Sequence, residues 1–138
     1  MNNNVMIIDD NEYIRESLEI LFQTEGIRIL PAEGGIQCIS YLEAGFKGVL
    51  LMDVMMPHMD GWDTIRQIVA RGLYDGNIIL MLTAQCEPAE NMEGIQSYIT
   101  DYVIKPFNPF DLLSKVKYYA SLLDSESETN SFSSGVSG

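Results

Sequence analysis

The sequence predicts an α/β fold: a doubly wound, five-stranded parallel sheet with helices on both faces and right-handed crossovers. Two observations carry that expectation. Five short apolar runs alternate with stretches whose apolar residues recur at helical spacing. Most of the runs are near-continuously apolar, the pattern of strands covered on both faces.

Val5–Ile8 is the first strand and ends in Asp9-Asp10. From Glu12 the period changes: Ile14, Leu18, Leu21 and Phe22 share one helical face, with Asn11 as cap and Gly26 as stop after about Glu25. Ile27–Leu30 alternates as a second strand. Gly34-Gly35 breaks the pattern, and Ile36, Ile39 and Leu42 mark a second helix closed by Gly45. Val49–Met52 is the third strand; it ends on the carboxylate of Asp53, and Pro57 stops any continuation. Asp60-Gly61 opens a third helix with Trp62, Ile65, Ile68 and Val69 inward. Gly72–Asn77 loops to a fourth strand, Ile78–Leu82, ending at Thr83. Pro88–Ser97 carries a thin helical stripe, Met92 and Ile95, interrupted by Gly94 at a cost of about 1 kcal/mol relative to Ala. Tyr102–Ile104 is the fifth strand and runs into Lys105-Pro106. Asn108 caps a fifth helix with Pro109 at its first position and Leu112, Val116, Tyr119, Ala120 and Leu123 along one side.

Residues 1–123 are thus expected to form one domain. Residues 124–138 are polar, rich in Ser and Gly, and too poor in apolar content to pack, so a tail or linker is expected there. No apolar run nears the roughly 20 residues that span a bilayer, and the N-terminus lacks a signal-peptide pattern, so a soluble, cytoplasmic protein with no membrane partner is expected. The net charge of −12 argues against direct nucleic-acid binding. Cys38 and Cys86, with no CxxC and a single histidine in the chain, read as reduced thiols rather than a disulfide or metal site.

Ligand sites in such sheets lie beyond the carboxyl ends of the strands. Those ends carry Asp9-Asp10, Asp53, Thr83 and Lys105, while the second strand offers only Pro31. Asp53 by itself has two readings, a carboxylate facing a cleft or a turn-starting cap of the next element. Three carboxylates held close cannot all stay ionised without a counter-charge, so either one pKa rises or a cation binds. Mg²⁺ suits a few carboxylate oxygens plus waters and a phosphate; Ca²⁺ usually takes more oxygens, and Zn²⁺ favours His or Cys. A carboxylate can also act as nucleophile and form an aspartyl-phosphate. Lys105 then supplies a point charge and Thr83 a hydroxyl donor for the transferring group. The plain alternative is four ordinary strand ends in which Lys105 merely neutralises Asp53.

The chain resembles the receiver domain of two-component response regulators over about residues 4 to 123. The matching residues are Asp9-Asp10, Asp53-Val54-Met55-Met56-Pro57 with Met59-Asp60-Gly61, Thr83-Ala84, and Lys105-Pro106-Phe107. Any one motif is weak. Four in order, with thirty residues from Asp53 to Thr83 and twenty-two more to Lys105, are specific. The resemblance implies a flavodoxin-like sheet in the order 2-1-3-4-5. It implies that Asp53 accepts a phosphoryl group from a sensor histidine kinase or a small phosphodonor. Asp10, Asp53 and the Met55 carbonyl would ligate Mg²⁺, with Asp9 acting largely through water. Thr83 and Lys105 would bind phosphoryl oxygens, and Tyr102 would turn inward as Thr83 moves. The charge change would bias a surface made by the fourth helix, fifth strand and fifth helix, read by an output domain or partner protein and allowing a phosphorylation-dependent dimer. A cis Lys105–Pro106 bond is also implied.

Two departures from the family pattern stand out. Tyr98-Ile99 replaces the usual Gly-Ala before the fifth strand, so that loop is expected to differ in shape. Met55 and Gln85, each two places after a site residue, are expected to alter how water reaches the acyl phosphate and hence its lifetime. The expected function is a phosphorylation-controlled switch that assists its own phosphorylation, acting alone or as the receiver of a hybrid kinase or multidomain regulator. A degenerate protein-binding receiver would lack a site residue, and none is missing. A haloacid dehalogenase-type phosphatase would need an acid at the Met55 position. A flavin binder would want a hydroxyl- and Gly-rich loop where Asp9-Asp10 stands. His58 reads as a solvated loop side chain, Trp62 as a packing anchor, and most methionines as core filler, Met55 excepted.

Overall fold

The computed structural model describes residues 4–84 and 94–137, with side chains described up to Asp124. In chain order the elements are β1 (Asn4–Ile8), α1 (Glu12–Gln23), β2 (Arg28–Ala32), α2 (Gly35–Glu43), β3 (Val49–Asp53), α3 (Gly61–Ala70), β4 (Ile78–Thr83), β5 (Ile99–Ile104) and α4 (Pro109–Ser137). All strand pairings are parallel and the sheet order is β2-β1-β3-β4-β5, as the resemblance implies.

Strand alternation sorts the core into two layers. Met6, Ile8, Leu50, Met52, Ile79 and Met81 face α2 and α3, where Ile39, Leu42, Trp62, Ile65 and Ile68 meet them. Val5, Ile7, Val49, Leu51, Leu80 and Leu82 face α1 and α4, against Leu18, Phe22, Leu112, Val116 and Leu123. Every residue of β3 is buried. That is why this strand reads as an unbroken apolar run, and why a carboxylate at its end is conspicuous. Trp62 packs in the core, as do Met6, Met52, Met56 and Met81, whereas Met55 is exposed.

Caps match the sequence closely. Asn11 accepts from the Ile14 amide at α1, Asp60 from Asp63 at α3, and Asn108 from Phe110 and Asp111 at the start of α4. The Lys105–Pro106 bond is cis. Cys38 is a buried free thiol whose pKa burial pushes up to about 12; Cys86 lies outside the described residues.

Several boundaries differ from expectation. The second strand runs over Pro31 and Ala32 rather than stopping at Leu30. It is an edge strand paired only with β1, so a residue lacking an amide proton is tolerated there. The fifth strand begins at Ile99, not Tyr102. Its register shifts between Ile79 and Leu80, which pair with Ile99 and Asp101, so Thr100 is an extra residue on β5. The Pro88–Ser97 helix falls mostly outside the described residues; Gln96–Tyr98 is a short 3-10 turn. The last helix continues in one run to Ser137 instead of ending near Leu123. No proline follows Pro109 to stop it.

Candidate functional site: an acidic pocket at the carboxyl edge of the sheet

Because β1, β3, β4 and β5 are parallel, their last residues reach the same edge. The Lys105 amide donates to the Thr83 carbonyl at 2.8 Å, tying the end of β5 to that of β4. From there the Lys105 side chain crosses the pocket. Its Nζ lies 3.2 Å from Asp53 Oδ1 and 3.3 Å from Asp9 Oδ2. One carboxylate oxygen from each of Asp9, Asp10 and Asp53 lies within 4.8 Å of the others. Asp9 and Asp53 are buried, at 1% and 5% exposure, whereas Asp10 faces solvent. Asp53 Oδ1 also accepts from the Met55 amide at 3.3 Å.

The charges are unbalanced. Burial first, and the neighbouring Asp9 carboxylate second, push the Asp53 carboxyl up to about 6 against the opposing pull of Lys105. Burial disfavours the Lys105 ammonium, but attraction to Asp9 and Asp53 outweighs it and holds its pKa above the usual lysine value. One ammonium among three carboxylates leaves net negative charge in a part-buried pocket. An all-oxygen donor set of that kind fits a hard divalent cation.

The pocket is supported from below by α3. A Cβ at Gly61 would lie 2.5 Å from the Asp53 carbonyl oxygen and 3.0 Å from Val54 Cα. The Gly61 amide donates to the Val54 carbonyl at 2.8 Å, so α3 starts this close to β3 only with glycine there. His58, exposed and in the left-handed region at φ 70°, is a turn residue and borders a cleft of about 570 Å³ together with Asp10, Arg15, Gly35, Ile36 and Met59. Thr83 and Tyr102 are both half-buried; Thr83 ends β4 at the pocket edge, and Tyr102 packs against the α2–α3 layer.

Asp9, Asp10, Asp53 and Lys105 therefore meet in one pocket, and the Met55 backbone touches it. Two contributors escaped sequence reasoning. Arg15 donates from Nη1 to the Asp9 carbonyl at 2.7 Å, and the Asn11 amide donates to Asp9 Oδ1 at 2.9 Å. An arginine on a half-solvated helix gives no periodic signal, and Asn11 already had a role as cap.

A family model described as the response regulator receiver domain matches residues 5–117. The chain belongs to the response regulator receiver family. Among curated relatives, this receiver is 34% identical over 133 residues to the transcriptional regulatory protein ResD of Bacillus subtilis, covering 96% of this chain and 52% of ResD. It is 32% identical over 117 residues to the regulatory protein VanRc of Enterococcus gallinarum, covering 85% of this chain and 49% of VanRc. The chain thus spans about half the length of these relatives. A CheY-like receiver domain protein from Methanospirillum hungatei has a similar structure, with TM-score 0.84, 43% identity, and coverage of 88% of this chain and 97% of that one. The response regulator TrrA of Thermotoga maritima, solved in complex with Mg²⁺-BeF, superposes with TM-score 0.68 at 28% identity, covering 86% of this receiver and 99% of TrrA. No helix among the described residues is long and apolar enough to cross a membrane.

Proposed function

We propose that this receiver is a phosphorylation-dependent signalling switch whose Asp53 takes a phosphoryl group from a sensor histidine kinase, or from a small phosphodonor, in the presence of Mg²⁺. The observation that carries the reading is the Lys105 ammonium, 3.2 Å from the Asp53 carboxylate in a pocket with two further acids.

Asp10 and Asp53, with the Met55 carbonyl, would hold Mg²⁺, and Asp9, already engaged by Lys105 and the Asn11 amide, would act on it through water. The ion would neutralise charge on the phosphoryl oxygens as they approach the carboxylates. An Asp53 carboxylate oxygen attacks phosphorus; the new O–P bond forms as the bond to the donor's nitrogen or oxygen breaks, and that electron pair leaves with the donor. Lys105 neutralises one phosphoryl oxygen and the Thr83 hydroxyl donates to another. The receiver thereby assists its own modification while serving as a regulator. Movement of Thr83 toward the phosphate opens room for Tyr102 to turn inward. That repacks β5 and its flanking elements, the surface read by an output domain, a partner protein or a second copy. The whole protein acts through such contacts, either alone or as the receiver module of a longer regulator in which residues 124–138 would be the link.

The test is incubation with acetyl phosphate and Mg²⁺ followed by intact mass. The wild-type chain should gain one phosphate, and Asp53→Ala or excess chelator should abolish the gain. A phosphate-sized gain that persists in Asp53→Ala would reject Asp53 as acceptor.

A further inference from the structure

We propose that Arg15 is a positioning residue for the acidic pair, clamping the Asp9–Asn11 turn so that Asp10 faces the cation site. The proposal rests on the reading of that pocket as a Mg²⁺ site.

The β1 ladder ends at Asp9. Its amide makes a last rung to the Ala32 carbonyl at 3.1 Å, and its carbonyl accepts from Arg15 Nη1 at 2.7 Å. The backbone amide of the same Arg15 donates to the Asn11 carbonyl at 3.2 Å, opening the hydrogen-bond ladder of α1. Arg15 therefore grips the turn on both sides: through its side chain before Asp10 and through its backbone after it. Inside the turn, Asn11 donates to Asp9 Oδ1 and accepts from the Ile14 amide. Asp10, between them, makes no hydrogen bond or ion pair among the described residues. Its carboxylate direction therefore follows from the backbone of the turn, and among the described residues Arg15 is the one side chain that donates to the Asp9 carbonyl.

Two effects of removing Arg15 have opposite signs, which makes the idea decidable. A guanidinium bonded to the Asp9 carbonyl and lining the same cleft as Asp10 repels an incoming cation, so loss of its charge alone would tighten Mg²⁺ binding. Loss of the clamp frees the turn, so Asp10 must be ordered on binding, and Mg²⁺ binding weakens.

Calorimetric titration of Mg²⁺ into the wild-type chain, Arg15→Gln and Arg15→Lys separates them. Hydrogen exchange at the Asn11 amide in the metal-free proteins gives a readout independent of the ion, and Arg28→Gln, at the exposed first residue of β2, controls for loss of one positive charge. The expected order of affinity is wild type, then Lys, then Gln. The Gln variant should lie about fivefold below wild type, equivalent to one net hydrogen bond, with faster Asn11 exchange. A Gln variant that binds as well as or better than wild type, with Asn11 exchange no faster, would overturn the clamp and leave the Mg²⁺ site standing. Should the Gln variant fail to fold, Arg15→Lys decides, because its charge is unchanged. Weaker binding with faster exchange supports the clamp, and both unchanged overturn it. A wild-type chain that takes up no Mg²⁺ overturns the site reading, and the clamp with it.

Discussion

Asp53 is held where its charge is least welcome. Its folded pKa of about 6 exceeds the roughly 3.9 of an unfolded aspartate, so the folded chain binds more protons between those values. The sign follows directly: Asp53 favours folding at low pH, and that contribution is lost as pH rises from about 4 to 6. At pH 7 without metal, Asp53→Asn should therefore be more stable than the wild type, by about 2 kcal/mol. Denaturant unfolding at pH 7 and pH 4 checks this; the gain should vanish at the lower pH and shrink when Mg²⁺ is added at pH 7. An Asn variant no more stable than wild type at pH 7 would mean that Lys105 already compensates both buried acids. This imbalance was legible in the sequence as four polar strand ends, because strand ends need only topology to be placed. The Arg15 contact was not, because it depends on a side chain folding back over its own helix start.

At the scale of elements, β5 and α4 are joined by a polar cluster with Asp101 at its centre. Asp101 accepts from Lys115 Nζ at 3.0 Å, from the Tyr119 hydroxyl at 2.8 Å and from the Tyr102 amide at 2.7 Å. Burial would raise its pKa, but these hydrogen bonds outweigh it and hold the carboxyl below the ordinary aspartate value. The stabilisation is thus present above about pH 4 and is lost as pH falls through the lower folded value. Asp101→Asn should leave stability near neutral pH only modestly reduced, by about 1 kcal/mol, and flatten the acid limb of the stability curve. Thermal midpoints between pH 2 and pH 5 measure it; parallel curves for the two proteins would count against the cluster. This cluster also explains why the sequence places the start of β5 three residues late. Thr100 and Asp101 interrupt the apolar run, one as the extra residue of a register shift and the other as the partner of α4. Period alone does not register either.

Across the whole molecule, the apolar contacts of α4 among the described side chains run from Leu112 to Leu123. A chain ending at Asp124 should therefore keep the thermal midpoint of the full chain to within a few degrees, and still gain phosphate from acetyl phosphate. A large drop on scanning calorimetry would move the domain boundary beyond Leu123. The fold class and the pocket were readable because each rests on apolar period and on residues at strand termini, whereas the sheet order came only with the family resemblance. Element ends were less so, since neither an edge position for Pro31 nor the continuation of α4 to Ser137 is written in local pattern.

Pro31 has one further effect. It sits opposite Ile7 in the outermost strand, three residues after the exposed Arg28, and offers no amide proton along the outward rim. A foreign strand seeking to extend the sheet on that side would meet a missing donor and a positive charge. That flank is thus guarded against lateral strand addition.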